Sequence, residues 1–291
     1  MMTNIEYSVI IPFRNELNLL QTALASIPDR KDIQIVIIDN SINSLESQFV
    51  NKHTLCMVNY LVSNPSKGAG CARNVGLTYA IGKWLLFLDA DDNYENNAFK
   101  LFDEYKTSDY DLIYFNITSR MLGTNKISTR HIRYEHKLNR YLNTGNENIV
   151  RYTFPTPYCK MVRRSMVIEK KIHFDETQVS NDVMFSIKCG YFAQKICAEP
   201  RVAYCVTEAN QNGSLTKQNT FANLKIRYKV AIRVYLMMRK IGHIEAAPSL
   251  YGYVLTALRK FGWKNFIYFV KLGIRYKVNF FIKYTKKGWI G

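Results

Sequence analysis

The sequence predicts an α/β protein with a mainly parallel central sheet, followed by a basic α-helical region. Three observations lead there. Short apolar runs rich in β-branched residues alternate with stretches of helical spacing between residues 7 and 204, as buried parallel strands and their crossover helices do. Several runs end in acidic or polar residues, where open α/β sheets hold ligands. After Gln218 the pattern is helical to the end.

Residues 7–12 (YSVIIP) form the first expected strand. Residues 16–27 have helical spacing, with Leu20, Ala23, Leu24 and Ile27 on one side. Residues 33–38 (IQIVII) and 56–62 are the next strands, 70–81 a helix, and 84–88 (WLLFL) a fourth strand. Residues 111–117 (DLIYFNI) are a further strand. Residues 118–134 carry Gly123, Thr124 and Asn125 between β-prone flanks and read as a hairpin or excursion. Residues 181–193 are expected as a helix and 196–204 as a strand. Pro248 and Gly262 divide the last part into about three helices. A break near residues 213–218 gives an α/β domain of residues 1–215 and a helical region of residues 216–291.

The 291 residues are 47% hydrophobic and carry a net charge of +17, enough apolar material for a packed core. Residues 215–291 hold 16 Lys and Arg against one acid, Glu245, a net +15; the first 214 residues carry only +2. Such asymmetry points to an anionic partner for the tail. On a helix, Ile267, Val270, Ile274, Val278 and Phe281 share one side, flanked by Lys264, Lys271 and Arg275. That pattern suits a helix lying in an anionic membrane interface, or one packed on the α/β domain with a solvated basic face. No nucleic-acid recognition motif accompanies the charge. The six cysteines form no CxxC pair and read as free thiols of a reducing compartment. No secretory signal or membrane span is visible. The expected location is cytoplasmic, peripheral on the inner face of the cell membrane.

The chemistry-bearing motifs gather at one edge of the expected sheet. LFLDADDN runs an apolar strand into Asp89, Asp91 and Asp92; a divalent cation bridging phosphate oxygens needs such hard-oxygen ligands. Asp92 or Asn93 is alternatively a cap for the helix that follows. SVIIPFRNE breaks at Pro12 into a polar loop with Arg14, and IVIIDNS ends a strand at Asp39. KGAGCARNVG is a glycine-bearing loop entering a helix, with Lys67 at its start and Arg73 on the first turn. Asp182 precedes a helix and is either a base or its cap. Asp39 has a turn role as its alternative, and Arg73 a surface role. Lys160, Arg163 and Arg164 follow a Pro-Thr-Pro loop and read as a solvated helix start or a contact for an acidic ligand. The five histidines show no ligand spacing.

Together VIIPFRNE, IIDNS, GAGCARNVGL, FLDADDNY and SNDVMFSIKCGYFAQKI resemble family 2 of the glycosyltransferases, over about residues 7–215. The resemblance implies the GT-A nucleotide-sugar-binding fold and a metal-dependent hexosyl- or N-acetylhexosaminyl-transferase. Its cofactor would be Mn²⁺ or Mg²⁺, and its donor a nucleotide sugar, above all a UDP-sugar. By the family's pattern Asp39 accepts from the base ring and Pro12 bends against it, with Arg14 and Lys67 beside the donor. Arg73 lies by the base and phosphates. Asp89 and Asp91 match the DXD pair, Asp91 on the metal and Asp89 or Asp92 on metal or ribose. Asp182 matches the general base. Arg14 departs from the usual small or aromatic residue, Ile38 from a second acid, and Asn181 from the Glu that normally precedes the base. The Asn-Asp form resembles bacterial surface-polysaccharide enzymes of capsule, O-antigen or exopolysaccharide synthesis. The acceptor would be a saccharide or a lipid-linked oligosaccharide. Two other readings stand beside this one: a nucleotide-sugar-binding module without catalysis, and a nucleotidyltransferase, although residues 9–16 lack the glycine-rich phosphate loop usual there.

Overall fold

The computed structural model describes residues 4–124, 126–208 and 220–280. Asn125, residues 213–218 and Phe281 lie outside them. The chain divides into two compact units, residues 1–212 and 213–291.

The first unit is built on an eight-stranded sheet. Strands β1 (Tyr7–Phe13), β2 (Ile33–Asp39), β3 (Met57–Val62) and β4 (Trp84–Phe87) are joined by helices α1 (Leu17–Ala25) and α2 (Gly68–Tyr79). After β4 come β5 (Asn93–Tyr94), α3 (Ala98–Tyr105), β6 (Leu112–Met121), α4 (Ile132–Thr144), α5 (Asn148–Thr153), β7 (Lys160–Arg163), α6 (Arg164–Glu169), α7 (Val183–Phe192) and β8 (Ile196–Glu208). The strand order is β3-β2-β1-β4-β7-β6-β8-β5. Four of the seven pairings are parallel and three, all involving β5 or β7, are antiparallel. The sheet is mixed, with its parallel half at β3, β2, β1 and β4.

Every residue of β1, β2 and β4 is buried, which is why these strands read as largely apolar runs, with the buried Ser8 and Gln34 satisfying each other at 2.6 Å. β7 had no such signature. It spans only four residues and carries Lys160 and Arg163. Residues 118–121 continue β6, and the chain turns back to pair antiparallel with them at Arg120 and Ile127, a short hairpin closed by the Met121 N–H to the Lys126 carbonyl and the Ser128 N–H to the Ser119 carbonyl, both at 2.9 Å. Asp92 and Asn93 do not cap α3, whose first turn is preceded by Asn97. Five of the free cysteines are buried and Cys197 is half-buried.

The second unit holds α8 (Phe221–Lys240), α9 (Tyr251–Phe261) and α10 (Trp263–Arg275), the last two separated at Gly262 with φ +81°. Thr220 caps α8 by accepting from the Asn223 N–H at 3.2 Å. Tyr228 stacks on Phe269 at 4.5 Å and donates to the Phe269 carbonyl. Phe269 and Gly273 are buried on α10; Val278, expected on its outer side, is buried also.

Candidate functional site

Beyond Leu88, whose N–H still bonds Ile10 on β1, the backbone leaves the ladder. The Asp89 N–H donates instead to the Tyr204 hydroxyl at 3.1 Å, and a turn closes from the Asp92 N–H to the Asp89 carbonyl at 2.9 Å. Asp92 points inward. Its two oxygens accept from the Tyr204 hydroxyl at 2.9 Å and the Thr207 N–H at 2.7 Å. Burial, then the charges of Asp91 and Asp89, push its carboxyl well above the usual range. Asp92 thus anchors the loop to β8. Asp89 is half-buried and Asp91 is reached by solvent. Crowding by protein and then the charge of Asp89 push the Asp91 carboxyl up.

Arg73 connects this loop to a second one. It is buried, donates to Asp89 at 2.5 Å and to the Asn181 Oδ1 at 2.9 Å, and lies over the Phe174 ring. Burial disfavours its charge, but Asp89 and then Asp182 raise it above the usual guanidinium range. Its Nε atom is buried without a partner. Two glycines permit the approach. Gly68 has φ +75°, and a Cβ on Gly70 would lie 2.0 Å from the Asp175 carbonyl. Asn74 clamps the same segment, donating to the Phe174 carbonyl at 3.0 Å and accepting its N–H at 2.8 Å. Lys67 is exposed and pairs with Glu176 at 2.8 Å on the rim.

Asp182 precedes α7, yet its side chain makes no capping bond. Its carboxyl is pushed up by burial; Arg73 opposes this and Asp89 adds to it. Asn181, at the position usual for Glu, carries no charge and spends its carbonyl oxygen on Arg73.

Asp39 ends β2, two strands from β4 across β1, roughly 10 Å at ordinary strand spacing. Its Oδ1 accepts the Ser41 N–H at 2.8 Å; Oδ2 accepts the Leu45 N–H at 2.7 Å and the Tyr60 hydroxyl at 2.9 Å. Burial works against ionisation, but hydrogen bonds from the Ser41 side chain, the Leu45 and Ser41 N–H groups and the Tyr60 hydroxyl hold its pKa below the usual range. The loop is wound on this carboxylate. Pro12 is buried opposite Ile38, and Arg14, half-buried, follows β1 at the same edge.

Two members of the basic cluster, Lys160 and Arg163, are neither a solvated helix start nor a contact for an anion, while Arg164 opens α6 and is half-buried. Lys160 is buried in β7, donates to the Phe154 carbonyl at 2.7 Å, and lies over the Tyr114 and Phe154 rings. Burial pulls its pKa down to about 8. Arg163 stacks on Trp84 at 3.9 Å and donates to the Ser108 and Tyr110 carbonyls. Tyr204 was missed because VAYCV reads as core; a phenol that uses both its donor and its acceptor in a buried loop has no sequence mark.

The family model described as glycosyl transferase family 2 matches residues 8–169. The minor teichoic acid biosynthesis protein GgaB of Bacillus subtilis is 29% identical over 113 residues, 35% of this chain and 13% of that protein. The chain thus spans a small part of that relative's length. Among solved structures, S. aureus TarS 1-349 in complex with UDP-GlcNAc superimposes with a TM-score of 0.71 at 18% identity, covering 94% of this chain and 81% of that one. The mannosyltransferase PcManGT of Pyrobaculum calidifontis, in complex with GDP-Man and Mn²⁺, gives 0.56 at 13% identity, covering 94% and 82%. The match over more than half of the chain, on a fold of the GT-A type, shows that it belongs to glycosyl transferase family 2.

Proposed function

We propose that the chain transfers a sugar, with inversion, from a nucleotide sugar to a saccharide acceptor during bacterial surface-polymer synthesis. One observation carries this: Asp89, Asp91, Arg73 and an uncapped Asp182 meet at the carboxyl edge of one sheet. The UDP-GlcNAc bound to TarS and the part of GgaB in minor teichoic acid biosynthesis support a UDP-sugar donor and a surface polymer.

Asp89 and Asp91 fit a divalent cation. Among the described residues no three His, Cys, Asp or Glu side chains form a ready cage, but Mg²⁺ and Mn²⁺ commonly take one or two carboxylates and complete their shell with phosphate and water. Asp89 keeps one oxygen free of Arg73, and a cation would offset both the burial and the Asp89 charge that push Asp91 up. When bound, the ion stabilises charge developing on the leaving diphosphate.

The chain's own groups supply the rest. Asp39 accepts from the base N–H, Pro12 and Arg14 border the nucleoside, and Lys67 stands at the rim. Arg73 holds Asp89 toward the diphosphate. Asp92 shapes the loop rather than touching the donor. Asp182 takes the proton from the acceptor hydroxyl as it attacks the anomeric carbon, and attack opposite the leaving group inverts that carbon. Its uncapped carboxyl favours catalysis over a module that only binds. The exposed face of α10 supports an anionic membrane surface as the place of work, consistent with a lipid-linked acceptor on the cytoplasmic side. No helix among the described residues is long and apolar enough to cross a membrane.

Thermal melting with UDP, UTP and a panel of nucleotide sugars in Mn²⁺ tests the reading. A UDP-sugar should raise the midpoint most; stabilisation by UTP alone would favour nucleotidyl transfer and overturn it.

A further inference from the structure

Arg130 lies between β6 and α4, in a segment that matches no motif. The segment is pinned to the sheet. Ser119 on β6 is wholly buried; its hydroxyl meets the Ser128 hydroxyl at 2.8 Å and the His131 Nδ1 at 2.7 Å, and accepts the His131 N–H at 3.2 Å. Ser119 is paired with Val206 on β8, next to Thr207, whose N–H holds Asp92. Arg130 is therefore fixed beside the stretch of β8 that anchors the Asp89–Asp92 loop. Its guanidinium is half-buried and within electrostatic reach of Asp89, Asp91 and Asp92, and of the phenols of Tyr134 and Tyr158. Tyr134 is in turn within reach of Asp182. Among the described residues the Arg130 guanidinium forms no hydrogen bond or ion pair. A partly desolvated guanidinium with free donors and no acceptor suits an oxygen-rich ligand.

The strand order says which part of a ligand it meets. Asp39 is on β2, the Asp89 loop follows β4, and Arg130 is tied to β6 and β8 on the far side of β4. A donor whose base lies at Asp39 and whose diphosphate lies at Asp89 must direct its sugar toward β6 and β8.

We propose that Arg130 binds the reacting half of the donor, donating to oxygens of the β-phosphate and the transferred sugar. This rests on the nucleotide-sugar reading above. Arg130 faces the bond that breaks, and its role is to hold the anomeric carbon between the leaving diphosphate and Asp182.

The test is calorimetric titration of the wild type, Arg130→Ala and Arg130→Lys with UMP, UDP and UDP-GlcNAc in Mn²⁺. Loss of a charge-assisted bond should weaken UDP-GlcNAc binding about tenfold or more, with Lys restoring part of it and UMP affinity unchanged. A parallel loss with UDP assigns the contact to the β-phosphate, and a loss with UDP-GlcNAc alone to the sugar; either supports the proposal. Equal weakening of UMP overturns it, as does unchanged UDP and UDP-GlcNAc affinity in an Arg130→Lys protein that melts like the wild type. A wild type that binds no uridine nucleotide overturns the donor reading itself, before any variant is compared.

Discussion

The Tyr204 hydroxyl donates to Asp92 at 2.9 Å and accepts the Asp89 N–H at 3.1 Å, so one phenol oxygen fixes both ends of the acidic loop. Tyr204 is itself fixed, stacked on Tyr158 at 4.8 Å with the rings 9° apart. Tyr204→Phe keeps the stack and leaves the Asp89 N–H unpaired. A buried unsatisfied donor costs about 1–3 kcal/mol. The variant should melt lower and need more Mn²⁺ for the same nucleotide affinity. Melting curves and a Mn²⁺ titration check this; a wild-type response in both would make the hydroxyl dispensable.

Asp91→Ala should separate metal binding from folding. Crowding by protein and then the charge of Asp89 disfavour an ionised Asp91, so removing the Asp91 carboxyl should leave the melting midpoint of the metal-free protein equal or higher. Turnover should nevertheless fall steeply, because a hard-oxygen ligand is gone. EDTA should have the same effect on the wild type. Turnover that survives EDTA removes the metal from the mechanism.

Asp182→Asn keeps the shape of the side chain and removes its basicity. Since Asp182 does not cap α7, the midpoint should barely move, while turnover falls by about 10²–10⁴. The pH profile carries the sign. Burial raises the Asp182 pKa, so the proton that disables the base binds at a higher pH than for an ordinary carboxylate. Turnover of the wild type should therefore fall on the acid side sooner than a free carboxylate predicts, and that limb should be absent from the variant. A variant with wild-type turnover moves the base elsewhere.

Asp39 tests whether one carboxylate can both build a loop and read a base. Asp39→Asn should weaken UDP and narrow its preference over CDP. Tyr60→Phe removes one donor from Oδ2 and keeps the carboxylate and its bonds to Ser41 and Leu45, so UDP affinity should hold. If calorimetry finds Asp39→Asn unchanged for UDP, the carboxylate belongs to the loop alone.

The sequence reveals those parts of the fold whose physics is local. β1, β2 and β4 are buried over their whole length, and such strands must be written mostly in apolar residues. The acidic loop is legible because carboxylates next to an apolar strand are unusual. β7 is not legible: Lys160 donates to a carbonyl six residues back, and Arg163 is sheltered by Trp84. Both partners depend on tertiary placement. The same holds for Tyr204, and for Arg130, whose position depends on Ser119 and His131 rather than on a motif. Asp92 illustrates the reverse: it reads as one more acid of the loop, and its partners Tyr204 and Thr207 on β8 are visible only in the fold.

The α10 helix carries the last prediction. Trp263, Ile267, Val270 and Ile274 recur at intervals of four, three and four, and so share one face. Trp263 and Ile274 are 63% and 64% exposed, and Lys264, Lys271 and Arg275 stand exposed beside them. Phe269 and Gly273, on another side, fill the core of the second unit against Tyr228. Removing the chain after Gly262 would strip that core, so truncation cannot distinguish membrane binding from folding. Point variants on the open face can. Each Lys or Arg near an anionic bilayer contributes roughly 1 kcal/mol, lost within a Debye length, while an inserted Trp or Ile adds a part that salt does not screen. Trp263→Ser with Ile274→Ser should therefore reduce the salt-resistant fraction pelleting with vesicles of phosphatidylglycerol and phosphatidylcholine. Lys264→Gln with Lys271→Gln should reduce the salt-sensitive fraction. Both pairs are exposed, so melting and transfer to a soluble acceptor should be unchanged. Pelleting that ignores the anionic lipid fraction, or that neither pair alters, would leave α10 as a solvated helix.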